Sequence, residues 1–176
     1  NAGCYIFKRS VIDLIPSDRP VAVERETFPE LLAADRMVIG VVDDGYWLDL
    51  GTPLAFAKGS ADLVRGIAPS PLLVGRTGEA LIEPTAKVDA SASVTGGTYV
   101  GHNAVIGADA VVTGSVIFAE VSVGAGTQIT NSIVSTAAKI SSDCHIVDTV
   151  IAERAQIGVG VTLDPGTLVF PDTTFA

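Results

Sequence analysis

Val100-Gly101-His102-Asn103-Ala104-Val105-Ile106-Gly107-Ala108-Asp109-Ala110-Val111-Val112-Thr113-Gly114-Ser115-Val116-Ile117 is the stretch that decides the fold. Aliphatic residues stand six apart at Val100, Ile106 and Val112, and the next, Ile117, follows after five. The ladder runs back through Val94, Val88 and Ile82. It runs forward through Val123, Ile129, Val134, Ile140, Ile146, Ile151, Ile157 and Leu163. From Val100 the strides go six, six, five, so the chain regains its phase every seventeen residues. Small residues sit four places after many rungs, at Ala86, Ala92, Thr98, Ala104, Ala110, Thr127, Ala138, Cys144 and Ala155. Aliphatics can fill each coil while the small residues let its corners turn, which specifies a parallel β-helix of triangular section over residues 81–176. The turn formers Gly114, Asn131, Asp148 and Pro165 align at the five-residue stride. Roughly five coils are expected, stacked about 4.8 Å apart.

Upstream, residues 67–80 form a linker by composition, carrying Pro69, Pro71, Gly75 and Gly78. Residues 1–66 alternate apolar runs with helical patterns, the mark of an α/β fragment. Strands are expected at 1–7, 36–42 and 46–50. Ser10 with Asp13 reads as a capping box on a short helix closed by Pro16, and Pro29 opens a second helix through Ala33. Thr52 as N-cap and Pro53 at the first helical position open a third helix, which ends at Gly66. Asp43-Asp44-Gly45 is a turn. These strands are too few for a complete doubly wound sheet. Asn1-Ala2-Gly3-Cys4-Tyr5-Ile6-Phe7 reads as a core strand without an initiator Met, so the chain is expected to be the later part of a longer protein.

The formal charge is -9, from 11 Lys and Arg against 20 Asp and Glu, with no basic cluster. That balance excludes nucleic-acid phosphates and an anionic membrane surface as partners. No apolar run nears the roughly 20 residues of a membrane span. Cys4 and Cys144 stand in unlike contexts and make no disulfide framework, so a reducing, cytoplasmic setting is expected.

Gly45-Tyr46-Trp47-Leu48-Asp49-Leu50-Gly51-Thr52-Pro53 places one carboxylate at a strand-to-helix corner, beside a glycine that admits a ligand. Such a corner suits a metal or phosphate, although taken alone it is more often a structural cap. Together with Asn-Ala-Gly-x-Tyr at 1–5 and Val-Glu-Arg-Glu-x-Phe-Pro at 23–29, and with the hexad repeat behind it, the stretch resembles the sugar-1-phosphate nucleotidyltransferases. The nearest branch is the bacterial one that joins GTP to mannose-1-phosphate. The resemblance implies the C-terminal part of a Rossmann-like nucleotidyltransferase domain followed by a left-handed β-helix. It implies Mg²⁺ held by Asp49, sugar hydroxyls on Glu24, and the sugar phosphate on Arg25, where many relatives carry a lysine. Asn1 and Gly3 match the segment lining the sugar pocket.

No catalytic residue is assigned, because the family's glycine-rich nucleotide loop, its catalytic basic residues and its first metal-binding aspartate precede this segment. The implied partners are a nucleoside triphosphate, a sugar-1-phosphate and further copies of the chain, assembled through the β-helix. Trp47 reads as a core wedge, Glu26 and Cys144 as structural, and Asp43 and Asp44 as turn residues. Two alternatives stay open: acyl transfer with His102 as base, and a non-catalytic assembly or regulatory subunit.

The register makes a direct prediction. Ile140→Asp places an unpaired carboxylate in the aliphatic column, where it unravels the middle coils. Calorimetry of that variant is expected to give a much lower Tm, and an unchanged Tm would rule out the register.

Overall fold

The computed structural model describes residues 2–176. The chain divides into two compact units, the first ending at Trp47 and the second running from Leu48 to Ala176.

The second unit is a parallel β-solenoid of about six turns. Its strands are two or three residues long and build three parallel sheets of six, six and five strands, one on each side of a prism. Such short strands hold only because every rung is bonded to the coils on either side. Along one sheet the Lys87 N–H donates to the Ala104 carbonyl at 2.8 Å, Val105 to Val121 at 2.8 Å, Ser122 to Ala138 at 3.0 Å and Lys139 to Ala155 at 2.9 Å. Each coil also drives its aliphatics inward. All twelve expected rungs from Val100 to Leu163 are 2% exposed or less, a burial worth about 1.5–3 kcal/mol for each side chain. Ile82, in the first coil, is 41% exposed because it has a coil on one side only.

Cα partners fall seventeen apart from Val100↔Ile117 through Ile146↔Leu163, the period read from the sequence. The closing steps, Ile151↔Val169 and Ile157↔Phe175, take eighteen, which brings Val169 into the core as a rung the five-residue stride does not foresee. The extra residue also corrects one turn position. Gly114, Asn131 and Asp148 all have positive φ, but the next member of that column is Gly166, at φ 84°, and not Pro165. A proline ring fixes φ near −65° and cannot take that conformation.

The corner columns hold an arrangement that small size alone does not predict. Thr98, Ser115, Ser132 and Thr149 stack seventeen apart, all 0–1% exposed. The Ser115 hydroxyl donates to the Thr113 carbonyl at 2.9 Å and accepts from the Ser132 N–H at 3.1 Å. The Ser132 hydroxyl donates to Thr130 at 2.7 Å and accepts from the Thr149 N–H at 3.1 Å. A buried hydroxyl that both donates and accepts meets the needs of backbone groups at the bend that the sheets leave unpaired.

Helix α3, Pro53–Val64, lies on this prism. Thr52 Oγ1 accepts from the Ala55 N–H at 3.2 Å, Pro53 occupies the first turn and Gly66 follows the end at φ 76°, as the sequence suggests. The outward residues of the sheet beneath it are apolar, Leu81, Tyr99, Val116 and Ile133 in register. Equivalent positions on a neighbouring sheet are Lys87, Val105, Ser122, Lys139 and Gln156, polar but for Val105. The helix therefore covers part of the more apolar of these two faces. Ala61 backs onto Gly97 so closely that a Cβ on Gly97 would lie 2.6 Å from the Ala61 carbonyl oxygen. Phe56, Leu63, Leu81, Tyr99, Val116 and Phe118 are among the residues lining an open apolar groove of about 250 Å³. Residues 48–66 thus pack with the prism, whereas the sequence groups them with residues 1–47.

The first unit is helical where it is regular. α1 spans Arg9–Ile12, a π-helical turn spans Val23–Thr27, and α2, Phe28–Ala33, continues directly from that turn. The expected capping box is absent: Ser10 lies inside α1, Lys8 is its N-cap, and Asp13 instead pairs with Arg9 at 3.2 Å. Tyr5, Phe7 and Phe28 form an aromatic cluster, Tyr5 meeting Phe28 edge-on at 5.1 Å. None of the three expected strands forms among the described residues of 1–7, 36–42 and 46–50. A strand exists only against a bonded neighbour, and no described segment pairs with these. Their apolar side chains face solvent, with Ile6 at 99%, Val41 and Val42 at 88% and Met37 at 86% exposure. Trp47 is also exposed, so it is not a core wedge.

Ser132→Ala removes the acceptor of the buried Thr149 N–H, a loss of about 1–3 kcal/mol. At about 2–4 °C per kcal/mol for a chain of this size, Tm falls by several degrees. A melting curve that matches the parent would mean the hydroxyl column contributes no stability.

Candidate functional site

Glu24 and Arg25 lie on the π-helical turn, where the Phe28 N–H reaches back to the Val23 carbonyl. Such single widened turns occur frequently at functional positions. Glu26 is held on both oxygens, one accepting from the Ala22 N–H at 3.1 Å and the other meeting Arg19 at 2.7 Å. The structural role read for it follows from those bonds. Glu24 and Arg25 are exposed. The Glu24 carboxylate accepts a 2.6 Å hydrogen bond from the Tyr5 hydroxyl. That bond, joined by a backbone hydrogen bond and the nearby Arg25 charge, holds the Glu24 carboxyl below its ordinary range. Tyr5 is the residue the sequence reading passed over. It appears in the quoted segment without a role, and only the fold of the first unit brings its hydroxyl to a side chain nineteen residues on.

Gly3 has φ 70°, and nothing lies within 4 Å of where its Cβ would point. A side chain there would be strained. Asn1 lies outside the described residues. The structure thus joins Tyr5 to Glu24, sets Arg25 next along the turn and leaves Gly3 two residues before Tyr5.

Asp49 belongs to the second unit. It is exposed, and its Oδ1 accepts from the Gly51 N–H at 3.1 Å, closing an Asx turn just before the Thr52 cap. Asp43 closes a similar turn on Gly45 at 2.8 Å, in keeping with its reading as a turn residue. Only the Asp49 turn leads straight into α3. A Cβ on Gly51 would stand 3.4 and 3.6 Å from the two Asp49 oxygens, in ordinary contact with both. A hard anionic oxygen pair of this kind suits Mg²⁺, which binds through one or two carboxylates and completes its shell with phosphate oxygens and water. Among the described residues no three His, Cys, Asp or Glu side chains converge on one point, so this segment would bring Asp49 to such an ion and no cage of its own. His102 sits at an exposed coil corner with Nδ1 3.2 Å from Thr85 Oγ1 and Nε2 4.0 Å from Glu83.

The family model described as the GMPPB C-terminal domain matches residues 76–174, and the chain belongs to that family. The model described as nucleotidyl transferase matches residues 1–66. A mannose-1-phosphate guanylyltransferase of Mycobacterium tuberculosis is 56% identical over 124 residues, which cover 70% of this chain and 34% of that protein. A mannose-1-phosphate guanyltransferase of Saccharomyces cerevisiae is 39% identical over 92 residues, 49% of this chain and 25% of that protein. The matched part therefore spans about a third of the length of the first and a quarter of the second. Among solved structures, a hexapeptide transferase family protein from Anaplasma phagocytophilum aligns with 54% of this chain and 72% of its own. That alignment is at 17% identity and a TM-score of 0.46, and it bears on neither activity nor ligand.

Tyr5→Phe removes the principal cause of the lowered Glu24 carboxyl. Carbon-detected NMR titration of that carboxyl is expected to show its midpoint rising toward the ordinary glutamate range. A midpoint unmoved by the substitution would mean the hydroxyl does not govern this group.

Proposed function

We propose that the chain is the C-terminal part of an enzyme that joins a nucleoside triphosphate, GTP, to a sugar-1-phosphate, mannose-1-phosphate, releasing pyrophosphate. What carries this reading is the 56% identity to the mycobacterial guanylyltransferase over 124 residues. The exposed Glu24–Arg25 turn and the Asp49 corner give it chemical content. A phosphate oxygen of the sugar-1-phosphate attacks the α-phosphorus of the triphosphate. The bond from that phosphorus to the bridging oxygen breaks, and pyrophosphate leaves with the electron pair. No proton needs to move for an ionised phosphate to attack, so the protein's task is placement and charge neutralisation.

Each residue then has a task suited to its chemistry. The Glu24 carboxylate, oriented by its bond from Tyr5, accepts hydrogen bonds from sugar hydroxyls. Arg25 offers the two-pronged donor set that matches a phosphate. Gly3 lets backbone approach the sugar. Asp49 supplies a carboxylate to Mg²⁺, which when bound neutralises phosphate charge. The prism stabilises the enzyme and assembles its copies, and the setting is the cytoplasm. No helix among the described residues is long and apolar enough to cross a membrane.

The test uses the full-length protein, with release of pyrophosphate from GTP and mannose-1-phosphate measured in Mg²⁺. Asp49→Asn is expected to lower kcat by at least about 100-fold, since a metal ligand is lost while the volume is kept. A parent that makes no GDP-mannose would defeat the proposed activity. An active parent whose Asp49→Asn variant turns over equally fast would defeat the role of Asp49.

A further inference from the structure

We infer that Gly59, acting through Leu48 and Leu50, is a positioning residue for the Asp49 carboxylate, so that the prism sets where that carboxylate stands. This rests on reading Asp49 as a metal ligand.

The path can be followed contact by contact within the second unit. The unit begins at Leu48, so Leu48-Asp49-Leu50 belongs to the same unit as the prism and α3. Gly59 is buried in the middle of α3. A glycine there costs about 1 kcal/mol against alanine, so it needs a packing reason. The reason is visible. A Cβ on Gly59 would lie 2.7 Å from Leu50 Cδ2 and 3.2 Å from Leu48 Cδ2. The two leucines that flank Asp49 in sequence both close on this one vacant spot and hold the corner from either side. Two residues further on, Ala61 presses on Gly97, where a Cβ would lie within 2.8 Å of its carbonyl oxygen, Cα and Cβ. At the other end of the helix, Pro53 and Leu54 lie beside Asn131, Ile133, Asp148 and Thr149 of the middle coils. The helix is thus gripped by the prism at both ends and grips the Asp49 corner at its centre. Thr52 and the Asx turn at Gly51 then fix the direction of the carboxylate.

Gly59→Ala separates position from stability. The added methyl raises helix propensity while pushing both leucines aside. In the full-length protein its Tm is therefore expected to hold or rise. Its affinity for Mn²⁺ in the presence of GTP, read from the EPR signal of the free ion, is expected to weaken by about 10-fold, the scale seen when the groups supporting a metal ligand are disturbed. Adding Leu50→Ala makes room for the methyl and is expected to restore Mn²⁺ affinity to within about threefold of the parent, an effect that general loss of stability would not produce. Asp49→Asn serves as the reference for lost ligation. If Asp49→Asn weakens Mn²⁺ binding and Gly59→Ala leaves it unchanged, the positioning role is overturned and the metal reading stands. If Asp49→Asn itself leaves Mn²⁺ binding unchanged, the metal reading is overturned and the positioning role with it.

Discussion

One constraint governs the second unit: each backbone rung must find its partners in the coils above and below. Strands of two or three residues have no stability of their own. They persist because hydrogen bonds run from coil to coil without a break while an aliphatic column fills the centre. Through the middle coils both demands repeat every seventeen residues, so hydrocarbon, hydroxyl and left-handed corner all stack in register. The buried Thr98, Ser115, Ser132 and Thr149 column shows how tightly the repeat is specified. A position that wants a small side chain also wants one that donates and accepts.

The same stacking gives the prism one apolar outer face, and that face decides where α3 goes. Because α3 begins at the Thr52 cap, its placement carries the Asp49 corner along with it. A repeat that would pass for inert scaffolding is therefore mechanically part of the proposed metal site. The first unit contributes separately. Tyr5 crosses from the aromatic cluster to Glu24, and a π-helical turn presents Glu24 and Arg25 to solvent.

The sequence exposed these levels unequally, for physical reasons. The aliphatic ladder was legible from Val100 to Leu163 because each rung occupies an identical environment. The reading failed at Pro165, where one extra residue shifted the left-handed corner to Gly166. Thr52, Pro53 and Gly66 marked α3 correctly, since caps are local chemistry. Apolar runs at 36–42 and 46–50 also read as strands, yet a strand depends on a neighbour that no local pattern supplies. The Ser10 box failed because Asp13 has a competing partner in Arg9. In the candidate site, residue types pointed to Glu24, Arg25 and Asp49, while Tyr5 and Gly59 were invisible. Their roles lie in contacts nineteen and nine to eleven residues away.

Native-state hydrogen exchange, followed amide by amide, tests most directly whether α3 and the Asp49 corner form one body with the prism. The Phe56 amide, bonded to Thr52 at 2.9 Å, and the Arg65 amide, bonded to Ala61 at 2.9 Å, should open with the same free energy as Tyr99 and Gly101 in the first coils. If those helix amides exchange as fast as residues 36–42 while the coils stay protected, α3 is a loose appendage and the account of how Asp49 is held is wrong.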